Sequence, residues 1–210
     1  QMSNPKGILF KGEMVRAILE GRKTQTRREC KSPGQKASWN VGDILYVKET
    51  WGVGTRPDPY QGAVSGIEYR ADEAYLDQYA NLRIFPFDDF DCEKYEGRGW
   101  RPSMFMPKAI ARIWLKVTNV RVERLLDISP ADAIAGGIEF GDLQIYGMVG
   151  SMGTRYRDYR LQGAVCVNTV ILSDARESYF SLWDSINGAG SHKENPWVFV
   201  IEFERIEKHS

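Results

Sequence analysis

The sequence predicts an α+β domain in which mixed strands are flanked by helices and interrupted by two insertions. Residues 109–125 alternate, with Ala111, Ile113, Leu115 and Val117 facing one way and Arg112, Trp114, Lys116 and Thr118 the other, the period of a half-buried strand. The stretch from Trp197 to Glu204 repeats the pattern, setting Trp197, Phe199, Ile201 and Phe203 against Val198, Val200, Glu202 and Glu204. Between them Ala175, Tyr179, Leu182, Trp183 and Ile186 recur at helical spacing behind Asp174, a capping residue with Glu177 three positions on.

In chain order, Ile8-Leu9-Phe10 is a short apolar run that is either a first strand or the lead into a helix. That helix covers residues 12–20, with Met14, Val15, Ala17 and Ile18 as its apolar face and Gly21 as its stop. Cys30 to Trp39 is a polar loop, and Val41-Gly42-Asp43 turns the chain into a strand over 44–48 that leaves Glu49, Thr50 and Trp51 at its far end. A first irregular insertion covers about 52–107, with a helix around 71–79. It also holds an acidic stretch over 88–96, either a lid or a solvated face, and a Gly/Pro-rich loop over 97–107. Ser129 caps a helix with Pro130 at its first position and Asp132 in the capping-box place, closed by Gly136-Gly137. A second insertion over 139–172 contains short strands, and His192 falls in a loop as a surface histidine.

At 210 residues, 42% hydrophobic and 27% charged, the chain suits one soluble globular domain over 1–210. No apolar run is long enough for a bilayer, so no membrane partner is expected. Cys30, Cys92 and Cys166 are odd in number and widely spaced, which points to reduced thiols and a cytoplasmic setting. Two histidines and no paired cysteines predict neither metal nor other cofactor.

Charge is concentrated near the first helix. From Lys11 to Arg28 six Lys/Arg stand against Glu13 and Glu20, a local +4 in a chain of net charge +0. Such a cluster points to an anion, with Arg22, Lys23 and Arg28 as its ligands, or to pairing with acidic residues elsewhere in the fold. Trp100 and Lys108, in and beside the Gly/Pro-rich loop, add the aromatic and basic groups of a stacking platform for unpaired bases, or simply pack a loop. Trp51 at a strand end either faces a ligand or caps the core. Lys23, Arg28 and at least one of Trp51 or Trp100 are expected to line one concave site.

The spacing Gly21-x-Lys23-x-x-Thr26-x-Arg28 resembles the signature of the ASCH domain family, a branch of the PUA-like superfamily. Gly42-Asp43, Ile128 to Ile134 and Asn195 to Phe203 continue the likeness. Glu49-Thr50-Trp51 and Trp100-Arg101-Pro102-Ser103 resemble blocks of the larger, phage-related members. The resemblance implies a mixed PUA-like β-barrel, with helices 12–20 and 174–187 outside it, that binds RNA or a modified nucleoside or nucleotide. Related small members are N4-acetylcytidine amidohydrolases, which implies a working Lys, Thr and Glu. By motif these are Lys23 and Thr26, while the Glu position falls on Gly136, so Glu49 or Glu139 would have to substitute. A threonine hydroxyl needs a neighbouring base, and a lysine serves only when neutral, which at an ordinary pKa of about 10.4 is rare at pH 7. Crowding by Arg22, Arg27 and Arg28 and a dry setting would both favour the neutral amine. The missing carboxylate favours a binding module over a hydrolase.

Overall fold

The computed structural model describes residues 4–58, 62–75, 90–142, 154–160 and 171–208. In chain order it contains strand β1 (Lys6–Leu9), helix α1 (Gly12–Leu19), β2 (Gln25–Cys30), β3 (Ile44–Lys48), β4 (Trp51–Asp58), β5 (Gly62–Tyr69), β6 (Trp114–Arg124), α2 (Pro130–Ala135), β7 (Phe140–Asp142), β8 (Thr154–Arg157), β9 (Ile171–Leu172), α3 (Ala175–Asn187) and β10 (Trp197–Ile206). The class is α+β. Five strands run in the order β1-β3-β6-β10-β2, so among the described residues the sheet is open, with β1 and β2 at its edges, where a closed barrel was expected. No helix of the described residues is long and apolar enough to cross a membrane.

The chain forms two compact units. One comprises residues 1–19, 42–116 and 204–210, the other 20–41 and 117–203. In the first, β1 pairs parallel with β3, and β3 pairs antiparallel with the start of β6, Leu45 opposite Leu115. Helix α1 buries Met14, Val15, Ala17 and Ile18, the face its spacing predicts. β4 and β5 form an antiparallel hairpin from Trp51↔Tyr69 to Asp58↔Gly62, in a stretch that reads as irregular. Its glycines and prolines hide the alternation, and at Gly54 the glycine has a steric purpose. A Cβ there would sit 1.6 Å from Glu68 Oε1, so the missing side chain lets Glu68 lie across the neighbouring strand. Where a helix was expected around 71–79, Arg70–Tyr75 form a 3₁₀ helix, and residues 76–79 lie outside the described residues. Trp51, Ile67, Tyr69, Met106, Ile110, Ala111 and Trp114 make the core of this unit.

In the second unit β10 pairs antiparallel with β2, from Trp197↔Cys30 to Glu202↔Gln25. Ser129 Oγ accepts the Asp132 N–H at 3.0 Å and caps α2, while Asp174 caps α3 through the Arg176 N–H at 2.8 Å. Helix α3 packs on α2 and buries Ala175, Tyr179, Phe180, Leu182 and Trp183. Ile186, expected in that stripe, is 43% exposed because the buried face ends a turn before the helix does. The short strands expected of the second insertion are β7, β8 and β9, paired in that order. His192, read as a surface residue, is half-buried: its Nδ1 meets Asp184 Oδ2 at 2.8 Å and its ring stacks on Phe180 at 5.3 Å.

Trp51 is fully buried, its ring meeting Phe90 at 5.8 Å and Tyr95 at 5.3 Å edge-on. It caps the core, and its faces are not open to a base. Trp100 is 36% exposed and rests one ring edge against Gly52. Truncating Trp51 to Ala is therefore expected to cost about 3–5 kcal/mol in urea unfolding, and truncating Trp100 about 0.5 kcal/mol. Equal, small losses for both would contradict this assignment of the core.

Candidate functional site

The site is built where the chain turns into β2. Gly21 takes φ +77°, and the next three residues are tied to the end of α2. Arg22 Nε bonds Glu20 at 2.6 Å, and its Nη1 donates to the carbonyls of Gly137 at 2.9 Å and Ile138 at 3.3 Å. Lys23 bridges Gly136 in antiparallel fashion, and the Thr24 N–H donates to Ala135 O at 2.9 Å. The Phe203 N–H reaches Thr24 O at 2.9 Å from the other side, so this backbone is extended and held along both edges.

An extended chain sends alternate side chains to opposite faces. Gln25 and Arg27 share one face and feed a polar network. Arg27 Nη1 donates to Gln25 Oε1 at 2.8 Å, its Nη2 to Glu123 at 2.8 Å, and Gln25 Nε2 donates to Asp132 at 2.7 Å. Arg121 joins through Glu123 and Asp132, both at 3.1 Å, and through Glu202. Burial opposes ionisation of Asp132, but Gln25, Arg121 and Arg27 outweigh it and hold that carboxyl below its ordinary range. The positive charge of Arg22 is thus matched by Glu20, and that of Arg27 by Glu123 and Asp132.

Lys23 is different. It is 5% exposed, and its Nζ donates to Gly136 O at 2.7 Å and Gln25 O at 2.9 Å. Burial, then repulsion from Arg28 and Arg27, draws its pKa down to about 7. At neutral pH the amine is therefore neutral in about half of the molecules. A neutral amine can satisfy both carbonyls with its two N–H bonds and keep a lone pair for a proton. The second carbonyl places the Lys23 amine near the Thr26 backbone. Gln25 O belongs to the peptide joining Gln25 to Thr26, so standard peptide dimensions put Nζ within about 6 Å of the Thr26 Cα. Lys23 leans forward along the strand, its amine beside the Gln25–Thr26 peptide.

Gly136 has an ordinary backbone, φ −65°, so its need for glycine is steric. A Cβ there would stand 2.5 Å from Tyr179 Cε2 and 2.9 Å from Cδ2. The Tyr179 ring fills the place of a side chain at 136, which leaves no room for a glutamate. Tyr179 is 5% exposed, with the Arg27 guanidinium 5.4 Å from its ring centre. Burial raises the phenol's pKa, so it stays protonated. Thr26 is buried opposite Ile201, and Arg28 lies half-buried opposite Phe199. Burial lowers the Arg28 pKa, and Tyr179 partly offsets this.

Glu49, Trp51, Trp100 and Lys108 belong to the other compact unit, so neither unit alone forms the expected common site of Lys23 and Arg28 with Trp51 or Trp100. Glu49 is buried and clamped: Arg112 Nε and Nη2 each reach one of its oxygens at 2.9 Å, and the same guanidinium holds Asp72 at 2.8 and 2.9 Å. It is a structural partner of Arg112 rather than a free base. Lys108 is exposed, its Nζ 5.8 Å from the Trp114 ring. Glu139 bonds Arg157 at 2.8 Å. Among the described residues no group of His, Cys, Asp and Glu is arranged to hold a metal ion. Compared with protein-family models, curated proteins and solved structures, the chain matches none.

The buried lysine fixes a pH dependence. Its pKa is about 7 when folded and near the ordinary 10.5 when unfolded, so between these values the unfolded chain binds the extra proton. Stability from this residue therefore rises with pH over that window. The wild type should gain on Lys23→Met by up to about 5 kcal/mol between pH 7 and pH 10.5. Urea unfolding of both proteins at several pH values measures this, and a difference independent of pH would contradict the burial of a titrating amine.

Proposed function

We propose that the chain is an ASCH-type, PUA-like domain that takes up a nucleoside or nucleotide acylated on a pyrimidine amine and removes the acyl group. The observation that carries this reading is the buried Lys23 amine, poised near pH 7 and held over the Gln25–Thr26 peptide. A neutral lysine amine can act as a base toward a hydroxyl that reaches it, and Thr26 supplies the hydroxyl of this reading. Lys23 Nζ takes the Thr26 proton as Thr26 Oγ attacks the acyl carbon. The tetrahedral intermediate collapses, the C–N bond breaks, and the leaving amine takes that proton back from Lys23. Water, deprotonated by Lys23, then attacks the acyl-Thr26 ester; the C–Oγ bond breaks, the acid leaves, and Lys23 returns the proton to Thr26 Oγ.

A broad RNA-binding surface on this segment has less support, because Arg22 and Arg27 are matched by internal carboxylates and Trp51 is buried. Recognition of the same nucleoside without turnover is the second reading. It is favoured by Gly136, where the resemblance calls for a carboxylate.

Incubation with N4-acetylcytidine, followed by chromatography of cytidine and acetate, separates the two. The hydrolase reading expects turnover that rises with pH through about 7, as Lys23 loses its proton. Thr26→Val and Lys23→Met should each lower kcat by at least about 10³-fold while leaving cytidine affinity within a few-fold. Wild-type protein that binds the nucleoside and never releases acetate would leave only the binding module.

A further inference from the structure

Tyr179 has no part in the reaction as written, yet three features converge on it. Its ring lies against Gly136, whose carbonyl holds the Lys23 amine at 2.7 Å. The Arg27 guanidinium lies 5.4 Å from its ring centre, and Arg27 is itself fixed by Glu123 at 2.8 Å. Burial raises the phenol's pKa, so the hydroxyl stays protonated and has a single O–H to donate. A neutral donor beside two guanidinium groups, Arg27 and Arg28, suits a group on which negative charge grows during a reaction, and not one that must give up a proton.

We infer that Tyr179 is a further residue of the Lys23 site, donating its phenolic hydrogen to the acyl oxygen of the bound substrate. This rests on the hydrolase reading above. When Thr26 Oγ bonds to the acyl carbon, the C=O pair moves onto oxygen, and the Tyr179 hydrogen bond shortens without transfer of its proton. When the C–N bond breaks the carbonyl re-forms, and Tyr179 is unchanged. The proton account stays with Lys23 and Thr26. Because the contribution grows only as the oxygen gains charge, it enters kcat and not ground-state binding. Glycine at 136 then has a reason beyond packing, since a side chain there would expel the ring that carries the donor.

The test uses the full chain and N4-acetylcytidine. Tyr179→Phe keeps the ring over Gly136 and removes only the hydroxyl. It should lower kcat by about 10²-fold with KM within about threefold, while the acidic limb set by Lys23 stays near pH 7. A ring-fluorinated tyrosine at 179 keeps fold and hydroxyl but ionises at lower pH. It should add an alkaline limb to the kcat profile, which a packing role would not produce. Active wild type with Tyr179→Phe at full kcat, or a fluorotyrosine profile that matches wild type, overturns the assignment of Tyr179 alone. Wild type that releases no acetate overturns the hydrolase reading and this assignment together.

Discussion

Burying a lysine amine is costly while it carries a proton, because a lone charge loses several kcal/mol of hydration that neutral carbonyls only partly return. The chain from Gly21 to Arg28 accepts that constraint at Lys23 and answers it with geometry. Two carbonyls, from Gln25 and Gly136, receive the amine. Arg27 and Arg28 repel its charged form. The arginine that sits deepest, Arg27, is matched by Glu123 at 2.8 Å and Asp132 at 3.6 Å. One segment therefore holds guanidinium groups beside an amine whose pKa is drawn down to about 7. The guanidinium is the more weakly hydrated cation and the harder to deprotonate.

The same constraint explains the surroundings. The amine needs the Gly136 carbonyl at the C-terminal end of α2, which is why residues 22–24 are tied to residues 135–138 by backbone and Arg22 bonds alike. Ser129 and Asp132 fix the start of that short helix, and Asp132 doubles as the acceptor for Gln25. Tyr179 on α3 closes the far side against Gly136. Apart from the Ser129–Asp132 cap, these contacts join segments more than a hundred or several tens of residues apart, so the site exists only once α2, α3 and β10 have assembled around β2.

Periodicity made part of this legible. β6, β10, α1 and α3 alternate or repeat apolar residues in the sequence, and α2 announces itself through Ser129, Pro130 and Asp132. β2 does not, because Gln-Thr-Arg-Arg-Glu-Cys has almost no apolar content. It is buried through ion pairs and hydrogen bonds that only the fold supplies. The β4–β5 hairpin was masked by glycines such as Gly54, whose reason is a side chain on the other strand. Lys23 stood out through charge and spacing. Tyr179 did not, since in a helical stripe it looks like any core aromatic and its role depends on a contact with a glycine 43 positions earlier. Glu49 and Trp51 sit at a strand end that suits a ligand or the core equally, and Arg112, Phe90 and Tyr95 decide for the core.

The central claim is that the Lys23 amine loses its proton near neutrality, and direct observation of that amine tests it. Lysine labelled with ¹³C at Cε, assigned by comparison with Lys23→Arg, can be followed by NMR from pH 5 to pH 11. One Cε resonance should titrate with a midpoint near 7, well apart from the remaining lysines. A Lys23 resonance that titrates with the others near pH 10 would contradict it, and with it the proposal that this residue acts as a base.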